Sequence, residues 1–219
     1  MGFDEVSRLK SQLEQTAPSR EGVMELLGFL GYPLVPEKEQ MLDSDVLFQQ
    51  KDMRERVVRS YRLFGQKAQW IHPTSKQAFD VEATVMLFEL VDEQTLRSRW
   101  PFEITRYVVR FGLRSAQGLF FFVAPNSRSI VVSAYTESLE VPERVQVRRL
   151  VVDVDNVTRT DLDSLAELFY SLLTPTTIIE RLRAALPYLK VGQAFFKEYH
   201  TLFQLLSKRL LKVFGSKAK

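Results

Sequence analysis

The chain has 219 residues, 45% hydrophobic and 26% charged, with 16 Phe, 7 Tyr and 2 Trp. That is enough apolar material for one sizeable folded domain and excludes a disordered chain. It contains no cysteine, so disulfides, zinc ribbons and thiol catalysis are excluded, and a reducing, cytoplasmic setting is expected. The net charge of +3 is uneven. From Pro187 onward seven cations (Lys190, Lys197, Lys208, Arg209, Lys212, Lys217 and Lys219) face only Glu198, so this tail carries +6 and the rest about −3. A basic arm on a mildly acidic body suits an anionic partner or an acidic neighbour.

Met1-Gly2-Phe3-Asp4-Glu5 has no basic stretch followed by an apolar run, and no apolar run reaches the ~20 residues needed to span a bilayer. No membrane partner is therefore expected. Phe3, Val6, Leu9 and Leu13 recur at helical spacing and predict a helix over 3–15. Ser19 is placed to cap a second helix ending near Leu30, and Gly31-Tyr32-Pro33 stops it. The polar stretch 35–45 reads as a loop, and 53–66, carrying Val57, Val58, Tyr61, Leu63 and Phe64, reads as a further helix.

Residues 83–91 form a near-continuous apolar run, which predicts a central strand covered on both faces. A crossover helix over 102–113 and a buried strand over 119–124 follow. Pro125-Asn126-Ser127 turns the chain into an antiparallel strand, 129–135, and 145–152 is the last strand. Thr160-Asp161-Leu162-Asp163 opens a helix running to about Leu173. A short helix to Leu186 and a long amphipathic helix over 192–213 complete the pattern. The fold class predicted is α+β, a mixed central sheet with flanking helices and a helical C-terminal extension. Its segments are an N-terminal helical part (1–66), a sheet core with crossover helix (67–157) and a helical extension with a basic tail (158–219).

Two stretches carry a family resemblance. Arg148-Arg149-Leu150-Val151-Val152-Asp153-Val154-Asp155-Asn156-Val157-Thr158-Arg159-Thr160-Asp161-Leu162 resembles the end of the N-terminal, non-methylating region of type IIG restriction–modification enzymes. Gly192 to Leu206, with Phe195-Phe196-Lys197-Glu198-Tyr199 and Phe203, is similar to the aromatic helix leading toward the methyltransferase in those enzymes. The resemblance implies a restriction-endonuclease-like core, DNA as a ligand and a methyltransferase or other protein of the same system as partner.

An active core of that kind needs an Asp and a Glu/Asp-x-Lys on adjacent strands, because two carboxylates hold Mg²⁺ and the lysine positions the attacking water. Here Glu89-Leu90-Val91 places valine where the lysine belongs, and no lysine follows Asp80 or Glu82 at the required spacing. Asp80, Glu82 and Glu89 are thus weak catalytic candidates, and Mg²⁺ enters only if they form a rearranged nuclease. Asp43-Ser44-Asp45 has no second ligand set in sequence. No methyltransferase tetrad or glycine-rich nucleotide loop is present, so no other cofactor is expected. His72 and His200 are too far apart in sequence to read as a metal site, and Ser127, Ser129 and Ser133 lack recognisable His–Asp partners.

Arg97, Arg99, Arg106, Arg110 and Arg114 surround the crossover helix, the last three at spacings of four. With Trp100 and Tyr107 interleaved they form a candidate phosphate-contacting face, joined by Lys208, Arg209 and Lys212 of the tail. Phe195, Tyr199, Phe203, Leu206 and Leu210 form an apolar stripe suited to docking a partner. The leading expectation is a non-catalytic DNA-binding or assembly module of a restriction–modification or phage-defence system. A Mg²⁺-dependent nuclease and a protein–protein adaptor or inhibitor without nucleic-acid binding are the alternatives. The adaptor gains if the arginines are locked in internal ion pairs.

Overall fold

The computed structural model describes residues 3–34, 39–71, 76–112, 116–137, 145–172, 181–182 and 185–186. The N-terminal helices fall where their periodicity places them, α1 over Phe3–Gln15 and α2 over Arg20–Phe29. Ser19 caps α2, its Oγ accepting from Gly22 N–H at 3.2 Å. Just past the helix end Gly31 adopts φ +82°, a conformation that glycine reaches without strain.

Two readings of the next segment are corrected. The stretch 35–45 is not wholly loop: Gln40–Leu42 is a short edge strand, β1, and Asp43 caps a single-turn helix α3, Ser44–Leu47. The helix expected over 53–66 does not form either. A one-turn α4, Lys51–Arg54, gives way to a 15-residue strand β2, Val57–Ile71. The misreading has a physical source. Register shifts at Val57/Arg59 and Arg62/Phe64 break the alternation expected of a strand. They leave Tyr61 and Phe64, both packed into one core, three residues apart, which is a helical spacing.

The remaining strands are β3 (Ala78–Leu90), β4 (Ala116–Val123), β5 (Ser129–Glu137) and β6 (Val145–Asp153). The six lie in sequence order. Every pairing is antiparallel except β3 with β4. A parallel neighbour needs a crossover, supplied here by α5 (Glu93–Arg97) and α6 (Trp100–Tyr107). The expected helix over 102–113 therefore starts two residues earlier, and from Val108 to Gly112 it widens into a π-helical turn. The helix expected from Thr160 to Leu173 is α7, Arg159–Ala166, followed by a 3₁₀ turn at Tyr170–Leu172.

The two central strands are apolar on both faces because both faces are covered. Val85, Leu87, Leu119, Phe121 and Val123 pack against Leu9, Leu13, Val23, Leu26 and Leu165 of α1, α2 and α7. Met86, Phe88, Phe120 and Phe122 pack on the other side against Phe48, Met53, Leu96, Ile104 and Tyr107, from the α3–α4 segment, α5 and α6. The rings of Phe88 and Phe122 stack across the parallel pair at 5.1 Å. The chain is thus a mixed α+β fold, a six-stranded sheet between two helical layers. All these elements belong to one unit, residues 1–186. The long helix expected over 192–213 lies outside the described residues, as do Phe195, Tyr199, Phe203, Leu206, Leu210, Lys208, Arg209 and Lys212. No described helix is long and apolar enough to cross a membrane.

Candidate functional site

The α5–α6 crossover is built by local capping. Asp92 accepts from Thr95 N–H at 2.6 Å and starts α5; that bond holds its carboxyl below the usual carboxylate range. Ser98 Oγ donates to Thr95 O (2.7 Å) and accepts from Trp100 N–H (3.2 Å), bridging the two helices. Pro101 sits in the first turn of α6, where its missing N–H costs nothing. Arg149 of β6 donates to Ser98 O and fixes the junction to the sheet edge.

Once α6 is seated, its inward face is spoken for. Ile104, Tyr107 and Val108 are buried, and the Tyr107 hydroxyl accepts from Gln49 N–H at 3.0 Å. Trp100 lies under the Arg56 guanidinium, 4.4 Å from ring centroid to carbon. The aromatics expected to be interleaved with the arginines, Trp100 and Tyr107, are therefore turned to the protein. Phe102 (37% exposed) and Phe111 (61%) are the ones at the surface. Tyr107 and Phe111 rings stand 4.8 Å apart, which holds Phe111 against the helix.

The outward side of α6 carries Arg99, Phe102 and Arg106 at helical offsets of three and four. Both guanidinium-bearing residues are exposed. Seven residues at 1.5 Å rise put them roughly 10 Å apart along the axis. Among the described residues neither guanidinium has an ion-pair or hydrogen-bond partner; the Glu103 N–H donates to the Arg99 carbonyl at 3.1 Å, but its carboxylate pairs with neither arginine. Arg97 contrasts with them. Its Nε donates to Glu93 (2.8 Å) and its Nη2 to Ser129 Oγ (3.0 Å), so it serves the fold. Arg110 lies in the π-helical turn with its side chain outside the described residues, and Arg114 lies wholly outside them.

The carboxylate candidates are not brought together. Asp80 and Glu89 lie on opposite faces of β3, nine residues apart, and the side chain of Glu82 lies outside the described residues. At ~3.3 Å per residue Asp80 and Glu89 are about 30 Å apart, so no single ion bridges them. Asp80 is exposed. Glu89 is paired with Arg59 across the β2–β3 ladder, Oε2 to Nη1 3.8 Å. Asp43 and Asp45 are used locally, the first as the α3 cap and the second paired with Arg54 at 3.2 Å. Among the described residues no three His, Asp or Glu side chains converge as a metal site. Ser127 Oγ bonds to the backbone of Ser129, donating to its carbonyl and accepting from its N–H, and Ser129 Oγ accepts from Arg97, so both serve the β4–β5 turn.

The motif around 148–162 likewise has local work. Asp155 pairs with Arg128 at 2.5 Å, which holds its carboxyl below the usual range. Thr158 and Asp161 form a reciprocal capping box on α7, and Arg159 pairs with Asp163.

Sequence reading missed a cleft of about 320 Å³ at the carboxyl ends of β3 and β4. It is lined by Glu89, Leu90 and Val123 at the strand ends, by Pro125 and Asn126 of the following turn, and by Arg20 of the first turn of α2. These residues are scattered over more than a hundred positions, so no spacing announces them. Comparison with family models, with curated proteins and with solved structures finds no match to the chain.

Proposed function

We propose that this chain is a non-catalytic DNA-binding and assembly module of a restriction–modification or phage-defence system. It acts in the cytoplasm beside a methyltransferase or other partner protein. The observation that carries the reading is the outer face of α6, where Arg99 and Arg106 are exposed and unpaired among the described residues while neighbouring Arg97 is locked. Guanidinium groups held on a rigid helix without internal partners are available to phosphate oxygens. Phe102 between them adds a flat apolar surface at the same height. The adaptor reading would gain from arginines consumed internally, and the two that are described are not.

The resemblance in the 148–162 and 192–206 stretches supplies the restriction–modification context. A restriction-endonuclease-like core without a working site accommodates the mixed sheet with its single parallel pair and the separation of Asp80 from Glu89. In this reading the basic tail with Lys208, Arg209 and Lys212 adds phosphate contacts, and the Phe195, Tyr199, Phe203 stripe docks the partner. Fluorescence anisotropy on a labelled ~30-base-pair duplex across a range of salt tests it. Binding that weakens steeply with salt, without cleavage in Mg²⁺, is expected. Absence of binding at low salt would return the chain to the adaptor class, and cleavage abolished by Glu89→Ala would make it a nuclease.

A further inference from the structure

The cleft at the strand ends has a chemistry of its own, opposite in sign to the α6 face. Ligands of open sheets gather outside the carboxyl ends of parallel strands, and this cleft sits at the ends of the one parallel pair among the described residues. At about 320 Å³ it is at the small end of ligand pockets, so its occupant is a compact molecule. Leu90, Val123, Pro125 and Val58 give it apolar sides.

Its polar groups are unequally satisfied. Arg20 is fully engaged, with two bonds to Glu39 (2.9 and 2.5 Å) and one to Glu21 (3.2 Å), and its guanidinium lies over the Tyr61 ring. Its charge is thereby neutralised. Glu89 is the reverse case. Its side chain is only 22% exposed, and its single described partner, Arg59, stands at 3.8 Å, beyond hydrogen-bond range, with 61% of its own side chain in solvent. A half-buried carboxylate lining a cleft with apolar sides thus has acceptor positions that no described side chain fills by a hydrogen bond. The exposed amide of Asn126, which lines the cleft from a left-handed backbone conformation (φ +57°), has no partner among the described residues.

We propose that this cleft binds a small organic cation, an ammonium group on a short aliphatic stem. The ammonium donates to Glu89 and to the Asn126 amide oxygen, and the stem lies against Leu90, Val123 and Val58. Counted with the groups that pair with them, Glu21, Glu39 and Glu89 face Arg20 and Arg59, a net charge of −1 that disfavours an anion there.

The test is a titration of the whole chain with n-butylammonium, followed by amide chemical shifts, with butyrate and butanol as matched probes. Saturable shifts centred on 18–21, 89–90 and 123–126 with butylammonium alone are expected. Glu89→Gln, which keeps the shape and removes the charge, weakens the binding about tenfold or more, as loss of a charge-assisted hydrogen bond implies. Val58→Lys, at a position 53% exposed and harmless to the core, places an internal ammonium beside Glu89 and blocks the site. Binding that is equal for butyrate, or unchanged in both variants, or absent altogether, overturns the proposal. Thermal melts of the variants separate loss of the site from loss of the fold.

Discussion

Two glycines on one helix give opposite predictions for the same substitution. In an exposed helix interior Gly→Ala stabilises by roughly 0.5–1 kcal/mol, because alanine loses less backbone entropy. Gly28, on the exposed side of α2, has nothing within 4 Å of where a Cβ would stand. Gly28→Ala is expected to follow the rule and raise the melting temperature by about 1–4 °C, since ~1 kcal/mol shifts a domain of this size by about 2–4 °C. Gly22 is buried three residues after the cap, and its Cβ would lie 1.9 Å from Ala17 O, 2.9 Å from Ala17 C and 3.0 Å from Thr16 Cγ2. The first two are backbone atoms that no rotamer change can move. Ala17 O is also held by Ser19 N–H at 2.7 Å. Gly22→Ala must therefore displace the α1–α2 turn, an overpacking cost of about 1–3 kcal/mol that exceeds the propensity gain. Urea midpoints of the two variants, at unchanged m-value, measure both signs. If both substitutions stabilise, the close approach of α2 to the turn, and with it the α2 side of the cleft, is misplaced.

The capping box and the acidic cap make two further predictions. Thr158→Ala removes the acceptor for Asp161 N–H and a donor to the Asp161 carboxylate, and is expected to cost about 1 kcal/mol in urea unfolding. Asp92 has its folded-state pKa depressed by the Thr95 N–H bond, so its contribution is present above the ordinary carboxylate pKa and is lost as pH falls through the folded value. Because asparagine also caps helices well, Asp92→Asn should leave stability near neutrality almost unchanged. It should make the fall of melting temperature below about pH 4 shallower than in the parent.

Much of the fold is legible in the sequence where one signal dominates. The apolar runs at 83–91 and 119–124 are continuous because both sheet faces are covered, and Leu9, Leu13, Val23 and Leu26 keep a clean helical period. Reading fails where two signals interfere. In β2 a pair of bulges gives a strand the spacing of a helix, and in β1 three residues are too few to show alternation. The crossover helix is legible, yet which of its aromatics face water is not. Burial of Tyr107 depends on Gln49 and burial of Trp100 on Arg56, neither of which its own periodicity reveals. The availability of Arg99 and Arg106, in contrast to Arg97, is also a tertiary fact, set by where Glu93 and Ser129 fall. The cleft around Glu89 is assembled from four separate stretches of chain and has no linear signature.

The central claim is that the outer face of α6 meets phosphate, and the salt dependence of duplex binding tests it most directly. Each phosphate neutralised contributes about 0.9 to the slope of log K against log salt. Arg99→Ala with Arg106→Ala is therefore expected to weaken binding at every sequence alike and to reduce the slope by roughly 1.8. Both side chains are exposed, so the fold should melt as before. A double variant that binds DNA with the parent's affinity and the parent's slope would contradict the account.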